Sequence, residues 1–336
     1  MKITIVGAGA IGGYLGARLA LAGEDVTFVA RGPNLDALRS QGIRLIEEDG
    51  TERVAHPIRA VQSMADAGPQ DYVLLTLKGH QVEQVAADMR ALYGPDTAVV
   101  TMQNGIPWWY FHKLGGEYDG RPVTKADPKG IIAANIENER IIGSVVYPAS
   151  ELIAPGVVKV IEGNRFSLGE PDNSKSERAL RLSEAMTRAG FKSPVSTDLR
   201  GEIWLKLWGN LTFNPVSALT HATLAGICRF PLTRELAAGM MREAQSVAEK
   251  LGARMRVSID KRIAGAQAVG EHKTSMLQDV ERGRPLELDA LLGTVVELAR
   301  ITGIETPRID AVYACASLLA ATLAEQQGRL EVQPGK

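Results

Sequence analysis

The sequence predicts an α/β protein in two parts, a doubly wound parallel sheet followed by an all-helical domain. Three observations carry that prediction. The first half alternates short β-rich runs with a helix-length segment, a glycine-rich turn directly follows the first run, and from about Thr197 long helical patterns replace strand candidates. A length of 336 residues suits two domains with cores of ordinary size. We assign residues 1–196 to the first domain and 197–332 to the second. The join falls near Pro194 to Asp198, where Thr197 or Asp198 could cap the first helix of the second domain.

In chain order, Ile3-Thr4-Ile5-Val6 is the first strand candidate. A helix over residues 11–22 follows it and stops at Gly23. Val26-Thr27-Phe28-Val29, Tyr72-Val73-Leu74-Leu75 and Ala98-Val99-Val100 continue the strand series, giving a βαβ rhythm and hence a parallel sheet with helices on both faces. Residues 141–147, 157–161 and 166–168 are punctuated by Pro148, Pro155-Gly156 and Gly163-Asn164. They predict antiparallel strands on the far edge of the same sheet. Residues 115–129, rich in glycine, proline and charge, predict a surface loop that orders with ligand. In the second half Leu288, Leu291, Leu292, Val295 and Ala299 follow the i, i+3, i+4, i+7 spacing of one buried helix face. The apolar run 311–324 is shorter than the roughly 20 residues a bilayer span needs, so it predicts a buried helix and no membrane anchor. Residues 1–22 superficially resemble a secretory signal, but five glycines between Gly7 and Gly16 would weaken its apolar helix. The last four residues, Gln333-Pro334-Gly335-Lys336, predict disorder.

The composition, 45% hydrophobic and 23% charged, is that of a soluble globular chain, and the formal net charge is −1. With no basic surplus, nucleic acid is excluded as the expected partner. Cys228 and Cys315 are too few for a disulfide framework and too far apart for a metal motif, which fits a reducing cytoplasm and no metal.

Gly7-Ala8-Gly9-Ala10-Ile11-Gly12 lies between the first strand and the first helix. At this spacing the first glycine makes the tight turn and the second admits a pyrophosphate against bare backbone. The third packs helix on strand, while the helix N-terminus attracts the phosphates. A dinucleotide site is therefore expected. An NAD-preferring site would place an acidic residue at the end of the second strand, whereas this chain reads Val29-Ala30-Arg31-Gly32. A guanidinium can fork onto a 2′-phosphate, so Arg31 points to NADP(H), although a solvated surface arginine would look the same. Lys78 and Asn104-Gly105 follow the third and fourth strands, where open α/β sheets bind ligands. A solvated charge and a plain turn remain the alternatives.

In the second half, Lys206, Asn210 and Asn214 recur at i, i+4, i+8 among Trp204, Trp208 and Phe213. This one-residue-wide polar stripe is expensive to bury without partners, unless it is simply the wet face of an amphipathic helix. Pro215 adds a distortion because it cannot donate to the Leu211 carbonyl. A lysine partly desolvated there would have its pKa lowered toward neutrality, suiting it to protonate a carbonyl oxygen as hydride reaches carbon. Further on, Ser275 with Gln278 matches a capping box, and Glu287 falls in the first turn after Pro285, where a helix dipole favours a carboxylate. Both therefore admit structural roles.

Taken in order, these pieces resemble the ketopantoate reductase family, the NADPH-dependent 2-dehydropantoate 2-reductases of pantothenate synthesis. They are the glycine loop with Arg31, Leu77-Lys78 with Gln81, Asn104-Gly105, the Lys206/Asn210/Asn214 helix, Ser275-Met276-Leu277-Gln278-Asp279 with Glu287, and Gly303-Ile304 with Thr306-Pro307. The resemblance spans nearly the whole chain. It implies a Rossmann-type domain, then a helical domain like that of 6-phosphogluconate dehydrogenase, with the active site in the cleft between them. It also implies Lys206 as proton donor and Asn210, Asn214 and Ser275 as substrate ligands. Asn104 would bridge nicotinamide and substrate, Glu287 would lie beside the cofactor and the substrate hydroxyl, and the backbone amide of Ala149 would meet the cofactor. Gly7, Ala8, Gly9, Ala10, Ile11, Gly12, Arg31 and Lys78 would complete the NADP(H) site.

The chain departs from the family pattern twice. Residues 219–224 lack a further asparagine that family members often offer to the substrate, and Ile106-Pro107-Trp108-Trp109-Tyr110-Phe111 is bulkier than the usual glycine-rich continuation. The expected partner is a small-molecule 2-oxo acid, with a homodimer left open. Another branched or aromatic 2-oxo acid, favoured by Trp108-Trp109, is an alternative substrate. A non-catalytic NADP sensor is the alternative from a different class, and the lysine stripe speaks against it.

Overall fold

A computed structural model describes residues Met1–Val332 and carries an α/β fold. The four residues expected to be disordered, Gln333 to Lys336, lie outside the described residues. The strands are β1 (Lys2–Val6), β2 (Asp25–Val29), β3 (Ile43–Ile46), β4 (Glu52–Ala55), β5 (Arg59–Val61), β6 (Gln70–Leu75), β7 (Tyr93–Thr101), β8 (Ile141–Val146), β9 (Ala149–Ala154), β10 (Val157–Glu162) and β11 (Phe166–Gly169). The helices of the first half are α1 (Ala10–Leu21), α2 (Gly32–Gln41), α3 (Met64–Ala67), α4 (Gly79–Val82), α5 (Ile131–Asn135) and α6 (Glu177–Arg188). Those of the second are α7 (Leu199–Thr220), α8 (Leu224–Arg229), α9 (Pro231–Lys250), α10 (Ile259–Ala268), α11 (Ser275–Glu281), α12 (Thr294–Thr302) and α13 (Pro307–Glu325).

The main sheet has the order β11-β8-β7-β6-β1-β2-β5, and every pair is parallel except β8 with β11. In its central strands the runs Ile3–Val6, Tyr72–Leu75 and Ala98–Thr101 are buried, as a sheet covered on both faces requires. Helix α1 lies close against it. A Cβ added at Gly12 would stand 2.1 Å from the Gly7 carbonyl oxygen, and one at Gly16 would stand 2.2 Å from the Phe28 ring. Both glycines therefore buy close helix-on-strand contact, the packing expected of the third glycine of the loop.

The expectation of one antiparallel edge built from residues 141–168 needs correction. Strand β8 is parallel to β7, and only β11 is antiparallel at that edge. Strand β10 belongs to a second sheet, of order β4-β3-β10-β9. The cause is the turn at Gly156, whose φ of +69° folds β9 back on β10. Its carbonyl then accepts from Arg44 N at 2.8 Å, and β10 runs parallel to the free edge of β3. This sheet meets α1 at Gly13, where an added Cβ would stand 2.6 Å from Val158.

Contacts divide the chain into two units. One contains residues 1–104, 109–122 and 129–199, and the other contains residues 105–108, 123–128 and 200–336. Within the second unit the residues 123–128 are tied down, Glu297 accepting from Thr124 N and Lys125 N at 2.7 Å each and from Thr124 Oγ1 at 2.6 Å. The face predicted from Leu288 to Ala299 is buried throughout. Its first turn, Asp289–Gly293, is a π-helix, and α12 continues from it. The run 311–324 is helical within α13, but it is not the buried helix its composition predicts. Val312 and Ala316 are buried, whereas Leu318 is 69% exposed. Alanines on every side of the run give it an apolar average without an apolar stripe, and an exposed methyl costs little. Among the described residues no helix is long and apolar enough to cross a membrane, and no group of His, Cys, Asp or Glu could hold a metal ion.

Candidate active site

The strand registers put four loop starts level. Val6 pairs with Val29 and Leu75, and Leu75 pairs with Thr101. The segments that follow carry Gly7 to Gly12, Arg31, Lys78 and Asn104, so the parallel sheet gathers these residues along its carboxyl edge, where ligands of open α/β sheets bind. Ala149 opens β9 in the second sheet, opposite Glu162, and is half-buried.

Gly7 has a φ of +108°, the left-handed turn that needs glycine. A Cβ at Gly9 would meet nothing within 4 Å, at the N-terminus of the 12-residue α1. Bare backbone facing open space at a helix N-terminus fits the pyrophosphate of a dinucleotide. Side chains hold the loop's carbonyls. Thr76 Oγ1 donates to Gly7 O at 2.7 Å and to Val6 O at 3.1 Å, and Asn34 Nδ2 donates to Ala8 O at 2.6 Å. Arg31 is exposed at the N-cap position of α2, just past β2. Lys78 is half-buried at the N-cap position of α4, and its backbone N donates to Gln81 Oε1 at 3.1 Å. Asn104 is half-buried three residues past β7. Its neighbour Gln103 ties β7 to β6 by donating from Nε2 to Leu75 O at 2.7 Å and Leu77 O at 3.0 Å. Sequence reasoning missed Asn34, Thr76 and Gln103. Each is a polar residue in the stretch that follows a predicted strand, and that was the only signal available.

In the helical unit, α7 runs 22 residues and continues past Pro215 to Thr220. Trp204, Trp208, Leu211 and Phe213 are buried, and Trp208 Nε1 donates to Met241 O at 3.0 Å. Lys206 and Asn210 keep partial exposure, while Asn214 is buried. This is not the wet face of an amphipathic helix, because burial extends round nearly the whole circumference. Desolvation pulls the Lys206 pKa down from its ordinary 10.5 to about 8, and the Glu287 carboxylate opposes that fall. Asn214 Nδ2 donates to Ser275 Oγ at 3.4 Å.

The capping role considered for Ser275 falls to its neighbour. Thr274 is the N-cap of α11, its Oγ1 accepting from Leu277 N at 3.3 Å, and Gln278 Nε2 donates back to Lys273 O at 3.2 Å. The serine hydroxyl is thereby free to meet Asn214. Glu287 lies just ahead of its helix rather than in the first turn, its carbonyl accepting from Leu291 N at 3.2 Å. Gly105, with a φ of +90°, lies against the π-turn, and an added Cβ would stand 1.9 Å from Ala290 O. Ala290 O accepts there from Ile106 N at 3.3 Å and from Thr294 Oγ1 at 2.8 Å. Trp108 and Trp109 do not offer an open aromatic surface. They are 7% and 2% exposed, and Trp109 Nε1 donates to Thr101 Oγ1 at 3.0 Å.

Comparison with known proteins adds to this geometry. The family described as ketopantoate reductase PanE/ApbA matches residues 3–173, and ketopantoate reductase PanE/ApbA C terminal matches residues 198–320. The chain belongs to the ketopantoate reductase family. Within that family, the 2-dehydropantoate 2-reductase of Mesorhizobium japonicum is 55% identical over 321 residues, covering 95% of this chain and 98% of the relative. Among solved structures, a chain from Ralstonia solanacearum is 40% identical with a TM-score of 0.91, covering 96% of this chain and 98% of that one. The 2-dehydropantoate 2-reductase of Geobacter metallireducens is 29% identical with a TM-score of 0.82, covering 95% and 99%. The fold is also that of D-mandelate dehydrogenase solved with NADH and anilino(oxo)acetate, at 22% identity and a TM-score of 0.81.

Proposed function

We infer that this ketopantoate reductase family member reduces 2-dehydropantoate to pantoate with NADPH, and that Lys206 is its proton donor. The identity to the Mesorhizobium japonicum reductase supports the reaction. The observation that carries the mechanism is the desolvated ammonium of Lys206, with a pKa of about 8. The glycine loop, Arg31, Lys78, Asn104 and Ala149 would hold the cofactor, Arg31 reading the 2′-phosphate. Bound NADPH supplies the hydride.

As hydride reaches the carbonyl carbon, negative charge gathers on the oxygen, and Lys206 stabilises it and gives it a proton. An ammonium with a pKa near 8 is still mostly protonated at neutral pH, and it releases its proton more readily than an ordinary lysine. Asn210 and Asn214 on the same helix strip orient the substrate's oxygens. Ser275 adds a hydroxyl beside Asn214, and Glu287 accepts from the substrate hydroxyl while favouring the charged form of Lys206. Free thiols at both Cys228 and Cys315 support a cytoplasmic setting.

The test follows NADPH oxidation over a panel of 2-oxo acids that includes ketopantoate and its deoxy analogue, 2-oxo-3,3-dimethylbutanoate. A site that hydrogen-bonds the hydroxyl leaves polar groups unpaired when it is absent, so kcat/KM for the analogue should be lower by at least about tenfold. Equal efficiency would move the assignment to another 2-oxo acid. Turnover of none of the panel would point to an NADP-binding sensor.

A further inference from the structure

We propose that Asn34 is a positioning residue for the phosphate-binding loop, holding the Ala8 carbonyl away from the cofactor. The inference rests on the reading of residues 7–12 as the NADPH site. Asn34 Nδ2 donates to Ala8 O at 2.6 Å, and Asn34 Oδ1 accepts from Gly156 N at 2.8 Å. The two partners fix the amide's orientation, since a carbonyl can only accept and an N–H can only donate. One half-buried side chain thus joins the glycine loop, the start of α2 and the β9–β10 turn.

What this does for the loop follows from peptide geometry. In a trans peptide the carbonyl and the next N–H point in opposite directions, so holding Ala8 O toward Asn34 aims the Gly9 N–H to the other side. Of the loop glycines Gly7, Gly9 and Gly12, Gly9 alone has open space where a Cβ would stand, with nothing within 4 Å. An anion there meets a donor, whereas a flipped peptide would present a carbonyl dipole of the wrong sign. Thr76 holds the preceding carbonyl, Gly7 O, and Gly13 N occupies the following one, Gly9 O, at 2.7 Å. Asn34 therefore supplies the middle of three consecutive restraints. It also lies three residues after Arg31, so the loop and the segment that reads the 2′-phosphate share one anchor.

The pyrophosphate is common to NADPH and NADH, which separates the effect of Asn34 from that of Arg31. Losing one neutral hydrogen bond that organises the loop should weaken both cofactors equally, by about three- to tenfold. The experiment titrates NADPH and NADH by fluorescence against the full chain and its Asn34→Ala, Asn34→Asp and Arg31→Ala variants, and measures kcat and KM for the 2-oxo acid. Asn34→Ala should lose affinity for both cofactors alike, with kcat at saturating NADPH within about twofold of wild type. Asn34→Asp keeps an acceptor for Gly156 N, and with it the turn, but has nothing to donate to Ala8. It should weaken NADH at least as much as Asn34→Ala does.

Unchanged affinities in Asn34→Ala would overturn the proposal, and so would wild-type NADH binding by Asn34→Asp. A loss confined to NADPH would place Asn34 on the 2′-phosphate instead, and also overturns it. If Arg31→Ala still weakens NADPH alone, any of these results sinks only the role of Asn34. If no variant alters cofactor binding, the reading of the loop itself falls.

Discussion

Replacing Lys206 by methionine should make the protein more stable at pH 7 while slowing its chemical step by about 10²–10⁴. In the unfolded chain a lysine keeps its proton to about pH 10.4, but folded Lys206 keeps it only to about 8. Between those values the unfolded chain binds the extra proton, so unfolding free energy rises with pH through that window. Below about pH 8 the folded protein bears the whole penalty, which the fall from 10.5 to about 8 sets at about 3 kcal/mol. Methionine keeps the chain's bulk and removes the charge. Allowing for lost polar contacts of the ammonium, the expected gain is about 1–3 kcal/mol at pH 7, shrinking toward zero by about pH 10.5. Urea unfolding of both proteins at pH 7 and pH 10 reads the difference, in which titrating groups remote from Lys206 cancel. A variant no more stable than wild type at pH 7, or a gain independent of pH, would show that Lys206 is not held desolvated.

The remaining predictions address the other parts of the site. Gly105→Ala combines a φ of +90° with a Cβ 1.9 Å from Ala290 O, so it should destabilise by at least about 2 kcal/mol, read by urea unfolding. A change below about 0.5 kcal/mol would refute the close approach. Arg31→Ala should weaken NADPH roughly ten- to a hundredfold and leave NADH nearly unaffected; equal losses in fluorescence titration would remove Arg31 from the 2′-phosphate. Thr274→Ala should cost about 1 kcal/mol of stability as a lost helix cap, whereas Ser275→Ala should spare stability and raise KM for the 2-oxo acid. The reverse pattern would return Ser275 to a capping role.

Four strands of the parallel sheet, β1, β2, β6 and β7, were legible because burial on both faces demands continuous apolar, mostly β-branched runs; the three-residue β5 was too short to show one, and β8 proved parallel rather than antiparallel. The second sheet was not legible. Its strand β4 is mostly exposed, and the pairing of β10 with β3 joins residues more than 100 positions apart, decided by the Gly156 turn rather than by local pattern. In the site, the stripe of Lys206, Asn210 and Asn214 stood out because polar residues at helical spacing are costly among tryptophans. The S-x-x-Q pattern misled by one position, since Thr274 competes for the same cap. The anchoring of residues 105–108 and 123–128 on the second unit depends on bonds to Ala290 and Glu297 that no sequence pattern announces.

The central claim, that Lys206 protonates the carbonyl oxygen, is tested most directly by single-turnover reduction of ketopantoate by Lys206→Ala, alongside an NADPH titration. Removing a general acid typically costs about 10²–10⁴ in rate. The chemical step of the variant should slow by that factor with NADPH affinity within about threefold, and the wild-type rate should decline as pH rises through about 8 and the ammonium loses its proton. A variant that keeps more than about a third of the wild-type chemical rate would contradict the account.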